Sequence, residues 1–375
     1  MIQRRHLLAF AASGACGASA TFGTLGLPAA ARAQANPPRM NPQLRQRSVR
    51  AVAGGLHYLR GQQAPDGSLL GNVGVTALAL RAFLESPEKY SEADGPFITR
   101  QVEYLLGKAR PDGSISASLQ GTAYNTAVAI TALAATKNPK YEPVLAAGRK
   151  FLAEHQVDEG EGYKPDHPFY GGIGYGGGER PDLSNLYMSL EGLKAAGADA
   201  KDPVWQKALV FISRTQNRSE SNDQKWAGND GGFIYRPGFN MAEYENGTSS
   251  YGGMTAAGLL SLLFAGADRN DPRVQAAYKW MTANYTLDTN PGTNKKHGLY
   301  YFYNAFAKVM SAWGEDGFVD GKGQRHNWRD ELAQKLLGLQ RPDGSWANAE
   351  SNAWWEDRPQ LVTAWSVIAL EHVVK

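Results

Sequence analysis

The residues best equipped for chemistry are carboxylates that stand near tyrosines in two glycine-rich stretches of the chain. Asp182 and Asn185 follow a run of glycines and tyrosines, and Glu243 lies between Tyr235 and Tyr251. A pair of carboxylates is what glycoside hydrolysis requires, whereas one acid kept protonated by burial could protonate an apolar substrate. Further acids that we expect at the same end of the fold are Asp230, Asp316, Glu356 and Asp357.

Each of the first three residues also has a purely structural explanation. Asp182 and Asn185 stand where a helix is predicted to begin, and such side chains commonly satisfy free backbone N–H groups there. Glu243 just precedes another helix, which we predict to begin near Thr248, and a carboxylate there interacts favourably with the helix dipole. The glycine run before Asp182 lacks the Lys-Ser/Thr ending and preceding strand of a phosphate-binding loop, so we interpret it as a loop or lid.

Clustered aromatic residues form the second group of candidates. Four aromatics are consecutive at 300–303, and Trp354 is followed by Trp355. Four consecutive side chains of a helix cannot all face one side, so some should line a cavity or its rim; packing between helices is the alternative. The candidate ligand-binding residues are Tyr170, Tyr175, Asp182, Asn185, Tyr235, Glu243, Tyr251, Tyr301, Trp354 and Trp355. We assign no catalytic residue.

Metal, cofactor and nucleic-acid chemistry are disfavoured by composition. The single cysteine, Cys16, lies in a segment expected to be removed, and three scattered histidines, at 167, 297 and 326, make a weak metal site. The chain has 39 Lys+Arg and 36 Asp+Glu, and the first 35 residues hold three arginines and no acid, which leaves 36 of each sign without them. No basic surface for nucleic acid is therefore predicted, and no cofactor or metal is predicted.

The N-terminus has the anatomy of an export signal. Arg4 and Arg5 precede a long uncharged stretch rich in Ala, Gly and Ser, which ends on small residues around Ala33 and Ala35. The paired arginines are similar to a twin-arginine signal. We predict a signal over 1–35, a lead-in over 36–47 and export to the periplasm or envelope; an uncleaved anchor helix is the alternative.

A short motif recurs along the rest of the chain. The sequence Pro-Asp-Gly-Ser stands at 65–68, 111–114 and 342–345, each time between two helical patterns. Three looser copies follow Gln156, Gln216 and Tyr285. Asp and Gly are typical turn residues, so we expect these turns, with Gln63, Gln156, Gln216 and Gln340, to hold neighbouring repeats together rather than to form a site.

The two helices of each repeat differ in kind. The first carries charges and spaced apolar residues, which is typical of a helix with one wet face. The second is apolar nearly all round, as in Met254–Leu263, and is interrupted by Gly, Ser and Thr, which favours burial in protein. Six wet helices around six buried ones predict an all-α (α/α)6 toroid over 48–375, a single domain. The long turns of repeats three to five should lie at one end and build a binding face.

The sequence Gln-x-x-Asp-Gly-Ser-Trp, which residues 340–346 match in full, resembles the repeat of squalene/hopene cyclases and protein prenyltransferase β subunits. More closely, it resembles bacterial exported prenyltransferase and squalene-oxidase repeat proteins, which also have glycine runs like 170–178. The resemblance covers nearly the whole chain after the signal. It implies an α/α toroid with a central cavity.

The catalytic motifs of those relatives are not found in this chain. The resemblance would require an Asp-x-Asp-Asp motif for cyclisation, or Asp, Cys and His ligands for zinc; no Asp-x-Asp and no Asp-Asp pair occurs in the sequence. We therefore predict an exported protein that binds an apolar or isoprenoid molecule in the cavity. A glycan-binding hydrolase or lyase, a divergent terpene cyclase using another acid such as Asp182 or Glu243, and an interaction scaffold are the alternatives. Whether the protein is an enzyme stays open.

Overall fold

The computed structural model describes residues 39–176, 180–241, 247–293 and 295–375. These residues belong to one compact unit. The predicted export signal at 1–35 lies outside the described residues, as does candidate Glu243. Within the part of the chain that is described, no helix is both long and apolar enough to cross a membrane.

The described residues form twelve α-helices and one small hairpin. In chain order they are α1 (Pro42–Gly61), α2 (Val73–Glu85), α3 (Pro96–Leu106), α4 (Thr122–Ala135), α5 (Glu142–Glu154), α6 (Leu183–Ala195), α7 (Pro203–Ser213), α8 (Gly252–Phe264), α9 (Pro272–Ala283), α10 (Leu299–Trp313), β1 (Gly317–Val319), β2 (Arg325–Asn327), α11 (Trp328–Leu339) and α12 (Pro359–Val374). The antiparallel pair β1 and β2 places Phe318 opposite His326.

The even-numbered helices form the inner layer because apolar residues cover them on all sides. In α8 every residue from Gly252 to Leu262 is buried, whereas α1 buries one stripe that includes Leu44, Val52 and Leu59. The inner helices contact each other in sequence order, and α12 returns to α2, which closes the ring. The predicted (α/α)6 toroid is confirmed.

The repeated glutamines hold successive outer helices together, as the sequence predicted. Gln156 Nε2 donates to the Gly171 carbonyl of its own turn (2.9 Å) and to the Val204 carbonyl of α7 (3.0 Å). Gln340 does the same with Gly344 and with Ala51 of α1, and so joins the last repeat to the first. The same side-chain amide thus bonds a turn carbonyl of its own repeat and a carbonyl of the next outer helix, and so joins the two repeats.

The Asp-Gly turns are architectural for a steric reason. Gly67, Gly113 and Gly344 all have φ near +88°, a conformation that favours glycine. A Cβ on Gly344 would also lie 2.5 Å from the carbonyl oxygen of Gly54. The turn therefore needs glycine both for its own backbone and for the close approach of the next outer helix.

Two expected boundaries and one connection differ from the structure. Helix α1 begins at Pro42, inside the predicted lead-in, because Asn41 caps it by accepting from the N–H groups of Gln43 and Leu44. Helix α8 begins at Gly252 rather than near Thr248. The β1–β2 hairpin was not predicted; it lies in the connection from α10 to α11.

Candidate functional site

A cavity of about 580 Å³ opens where all six inner helices begin. Each inner helix contributes residues from its start or its first two turns, since every repeat runs in the same direction. The volume lies within the range of about 300–1,000 Å³ that small-molecule sites occupy. The lining residues are Asn72, Val75, Ser118, Gln120, Gly121, Tyr124, Asn125, Tyr175, Ser184, Met188, Tyr235, Met241, Tyr251, Gly253, Met254, Asn290, Gly298, Tyr301, Trp354, Trp355, Glu356, Leu361 and Trp365.

The long connections close around the cavity by capping the neighbouring inner helices. The carbonyl of Tyr175 accepts from Ala123 N at the start of α4 (2.9 Å). The carbonyl of Tyr235 accepts from Leu183 N at the start of α6 (2.8 Å). In each case the connection that leads into one inner helix caps the inner helix before it. The lining tyrosines are thus positioned by backbone bonds that free helix ends require.

Glu356 caps the inner helix α10 with its side chain. Its carboxylate accepts from the N–H groups of Leu299 (3.0 Å), Tyr300 (2.8 Å) and Tyr301 (3.0 Å), and from Asn348 Nδ2 (2.8 Å). The side chain is fully buried. Burial raises the pKa of Glu356 to about 7, although these four donors act in the opposite direction. Glu356 is a wall residue whose oxygens are already engaged.

Asp182 caps α6 and supports Tyr235 from behind. Its Oδ1 accepts from Asn185 N (2.9 Å) and its Oδ2 from Asn185 Nδ2 (2.6 Å). Burial raises the pKa of Asp182 to about 6, while the hydrogen bonds from Asn185 and Tyr235 lower it. Neither Asp182 nor Asn185 is among the lining residues; their contact with the cavity is through Tyr235.

Aromatic and methionine side chains form much of the wall. The Tyr301 hydroxyl accepts from Ser184 Oγ (3.1 Å), and its ring packs edge-on against Trp365 with centroids 5.9 Å apart. Elsewhere in the wall, the ring centroids of Tyr124 and Tyr175 are 6.1 Å apart. These ring contacts link neighbouring parts of the wall.

The tryptophan pair has an unusual backbone. Trp354 and Trp355 both have positive φ, 54° and 66°, a conformation that is uncommon for bulky residues and is often found at functional sites. The six-membered ring of Trp354 lies over Gly298, where an added Cβ would be 2.9 Å away. This geometry holds Trp354 against the start of α10, while the Trp355 side chain is 51% exposed at the cavity mouth.

Six of the ten candidate residues lie on the cavity wall, three do not, and Glu243 lies outside the described residues. The six are Tyr175, Tyr235, Tyr251, Tyr301, Trp354 and Trp355. Tyr170 is not on the cavity wall: it is buried away from the cavity, and its hydroxyl donates to Glu159 Oε1 (2.8 Å). Of the four consecutive aromatics, Tyr301 alone lines the cavity, because the others are buried between helices. Ligand binding by the six stays a prediction.

Several wall residues were missed, and one acid lies at the other end. Tyr124, Asn125 and Met188 sit in the first two turns of inner helices; because all inner helices begin together, their starting turns were a usable signal. Asp316 follows α10, so it lies at the opposite end from the cavity and binds Arg329 (2.9 Å). Among the described residues, no group of three or more His, Cys, Asp or Glu is placed to hold a metal ion.

The opposite end of the ring holds buried charges in its interior. Glu191 of α6 accepts from Arg81 Nη1 of α2 (2.9 Å) and from Lys308 Nζ of α10 (3.0 Å). Burial would raise the pKa of Glu191, but the two cations hold it below its usual value. Lys308 also donates to the Tyr187 hydroxyl (2.9 Å). Three inner helices are therefore tied together in the interior.

Comparisons with known proteins identify the fold and no family. No family model matches the chain, and no curated protein sequence matches it. Among solved structures, the type II terpene cyclase MstE from Scytonema has a TM-score of 0.54 at 16% identity, covering 88% of this chain and 98% of the cyclase. A variant of it was solved with its substrate, geranylgeranyl dihydroxybenzoate (TM-score 0.53, 13% identity, 88% and 97% covered).

A second solved structure of similar shape has a different activity. D-mannose isomerase has a TM-score of 0.54 at 11% identity and covers 90% of this chain and 99% of the isomerase. Identities this low carry information about fold and not about chemistry. The chain is thus an α/α toroid, similar in fold both to a terpene cyclase and to a sugar isomerase.

Proposed function

We propose that this protein binds an apolar molecule, with an isoprenoid favoured, in the cavity at the start of its inner helices. The observation that carries the proposal is the wall itself, where Met188, Met254, Leu361 and Trp365 combine with a set of tyrosines. Burying apolar ligand surface against such a wall contributes about 25 cal/mol per Å². The substrate complex of the structurally similar cyclase supports an apolar occupant.

The mouth of the cavity supports the same proposal. Most of the large apolar side chains that are exposed in the described residues lie in the connections at the cavity end: Leu70, Leu119, Tyr163, Tyr175 and Trp355. Leu119, which is 79% exposed, lies between lining residues Ser118 and Gln120. Clustered exposed apolar groups favour an apolar binding partner, here a ligand entering the cavity.

The arrangement of acids favours binding over glycoside hydrolysis. Among the lining residues that are described, Glu356 is the one carboxylate, and its oxygens accept four hydrogen bonds from protein. Asp182 is held by Asn185 behind Tyr235. Cleavage of a glycosidic bond requires two carboxylates that face the substrate, so the glycan alternative has less support than the apolar ligand.

A divergent cyclase is the second candidate, and one observation favours it. Asp182 is a buried acid next to a wall tyrosine, and burial raises its pKa to about 6. A buried, partly protonated acid beside an apolar cavity is a candidate proton donor. The bonds from Asn185 engage both of its oxygens, which is why we place binding first.

Export to the periplasm or cell envelope is part of the proposal. The paired arginines and the small residues near Ala33 and Ala35 support it. Mass spectrometry of the mature protein from its native envelope fraction tests it, because cleavage near Ala35 would give a defined new N-terminus. Recovery of the intact chain in that fraction would instead support the anchor alternative.

A substitution that fills the cavity tests the binding proposal. Gly253 is helical and lines the cavity, and a Cβ there would lie 3.4 Å from Tyr301, an ordinary contact. We expect Gly253→Leu to weaken binding of the isoprenoid farnesol at least about tenfold by removing cavity volume. Tryptophan fluorescence reports occupancy, since Trp354, Trp355 and Trp365 line the cavity.

Gly338→Leu is the matched control. Gly338 is on the outer helix α11, and an added Cβ there meets nothing within 4 Å, so this variant should bind farnesol like the unaltered protein. Equal farnesol binding by both variants would place the ligand outside the cavity. No saturable binding of farnesol, its hydrocarbon or its diphosphate by the unaltered protein would overturn the proposal.

A further inference from the structure

The charge of the cavity wall restricts the ligand further than its apolar character does. None of the lining residues that the structure describes is Lys, Arg or His, and the one carboxylate, Glu356, is engaged by four donors. A phosphate or diphosphate buried here would meet no cation. An unpaired buried charge is strongly unfavourable, so the wall discriminates against a phosphorylated ligand.

Several N–H groups at the starts of the inner helices already donate to protein acceptors. Val75 N donates to Asn72 Oδ1 (3.0 Å), and Gly253 N donates to Asn290 Oδ1 (2.9 Å). Helix α10 is capped by Glu356, and α12 starts with Pro359, which has no N–H. Anion binding at a helix start needs free N–H groups, so these groups do not offer a phosphate a site.

One side of the wall is polar but uncharged. Asn72, Tyr124 and Asn125 meet at Gly74, where an added Cβ would lie 2.8 Å from the Tyr124 ring and 3.3 and 3.4 Å from the Oδ1 atoms of Asn125 and Asn72. Asn125 uses its Nδ2 to donate to Ser116 Oγ (3.0 Å). Amide and phenol groups of this kind hydrogen-bond a hydroxyl, phenol or amide of a ligand.

The wall is apolar deeper in the cavity. Met188 is the sixth residue of α6, and Trp365 is the seventh of α12, about 9 Å along its helix from Pro359. Both lie farther from the mouth than Asn72, which precedes the first residue of α2. The cavity therefore has an apolar interior and a polar, uncharged patch nearer its mouth.

We propose that the cavity selects an uncharged amphiphile, with an apolar body inside and a hydroxyl, phenol or amide head at Asn72, Tyr124 and Asn125. Both a pure hydrocarbon and a phosphorylated ligand bind less tightly. This inference rests on the proposed function, since it names the ligand class of the same site. It also predicts how the ligand lies, with its head at the α2–α4 side.

Three ligands with one carbon skeleton test the inference. Farnesol, farnesene and farnesyl diphosphate are titrated against the purified protein, and binding is followed by tryptophan fluorescence. Farnesol should bind about three- to tenfold more tightly than farnesene, which corresponds to one net hydrogen bond. Farnesyl diphosphate should bind at least about tenfold more weakly than farnesol.

Two variants locate the head group. Tyr124→Phe removes the hydroxyl and Asn125→Leu removes the amide, and each should reduce the preference for farnesol over farnesene about two- to threefold. Tyr163→Phe is the matched control: Tyr163 lies in a connection at the same end but does not line the cavity, and the preference should be unchanged.

The outcomes separate the inference from the proposed function. Equal binding of farnesol and farnesene, or tightest binding of the diphosphate, would overturn the inference while an apolar ligand site remained. A preference for farnesol that survives both Tyr124→Phe and Asn125→Leu would overturn the assignment of the head to this patch. Failure of all three ligands to bind would overturn the proposed function, and the inference with it.

Discussion

The two ends of the toroid are built from the same six inner helices, yet their interiors differ in the side chains that they contain. At the cavity end, the first turns present uncharged polar, methionine and aromatic side chains around an open volume. At the other end, Arg81, Glu191 and Lys308 come from three different inner helices and meet in the interior. One end encloses the cavity, and at the other end, which we call the closed end, buried ion pairs cross the interior.

The two ends differ in the partners that their buried carboxylates bond. At the cavity end, Asp182 and Glu356 bond backbone N–H groups at helix starts: Asp182 caps its own helix α6, and Glu356 caps α10, which begins 57 residues earlier in the chain. At the closed end, Glu191 joins helices far apart in sequence. Because this network is buried, removing Glu191 takes away the carboxylate partner of Lys308, while Arg81 keeps its bond to Glu85 (2.6 Å). The toroid can therefore keep an open cavity at one end without losing its ring.

The closed end should be the more sensitive to the loss of a single carboxylate. Glu191→Ala leaves Arg81 and Lys308 buried without their shared partner, and the free energy of unfolding should fall by about 3–5 kcal/mol. Urea denaturation measures it. Farnesol binding by the protein that remains folded should be unchanged, because the cavity is at the other end.

Glu154→Ala is the control for that experiment. Glu154 pairs with Lys150 on the outside of α5, and its side chain is 57% exposed. Such a pair contributes about 0.5 kcal/mol or less. If Glu154→Ala and Glu191→Ala destabilised the protein equally, the buried network would not be what holds the closed end together.

The cavity end should show its own dependence on pH. Glu356 has a pKa of about 7 in the folded chain and an ordinary value near 4.5 when unfolded, so the folded chain holds an extra proton between these values. The free energy of unfolding should therefore fall as the pH rises from about 4.5 to 7, by up to about 3 kcal/mol. Glu356→Gln should remove this part of the slope.

Glu350→Gln provides the comparison, because Glu350 is an exposed acid of the same connection that pairs with Lys296. It should leave the slope as it is in the unaltered protein. Asp182, whose pKa is raised to about 6, should keep a smaller decline between about pH 4 and 6 in both variants. A full slope in Glu356→Gln would show that another group carries the proton.

A smaller effect is expected where Gly298 meets the tryptophan pair. Gly298 has φ of 67°, and an added Cβ would lie 2.9 Å from the Trp354 ring. Gly298→Ala should lower the free energy of unfolding by about 1–2 kcal/mol and weaken farnesol binding by displacing Trp354. Gly338→Ala, in an open helical position, should instead raise stability by about 0.5–1 kcal/mol, as thermal unfolding would show.

The repeat could be predicted from sequence because its parts act locally. The Pro-Asp-Gly-Ser turns need a left-handed glycine wherever they occur, and Gln340 bonds the turn that directly follows it. The contrast between a helix such as α1 and one such as α8 is visible in the spacing of apolar residues. These features depend only on residues on either side of a turn, so they can be recognised without the tertiary structure.

The site could be predicted only in part, because lining a cavity is a property of the assembled ring. Tyr170 and Tyr175 stand in the same glycine-rich stretch, yet Tyr175 reaches the wall and Tyr170 binds Glu159. Asp182 caps its own helix, as its place at a predicted helix start suggested, whereas Glu356 caps α10, which begins 57 residues earlier in the chain. Asn125 was missed, since an amide inside a helix is unremarkable until its neighbours are known.

The sequence by itself determined that this protein is a six-repeat α/α toroid without the catalytic motifs of the enzymes its repeat resembles. Helix periodicity and turn chemistry depend on residues a few positions apart, and these suffice for that conclusion. Only the tertiary structure decided which end is open and which residues face the opening, because contacts such as Glu356 with Tyr301 and Arg81 with Glu191 join parts of the chain that lie far apart. They arise when the ring closes.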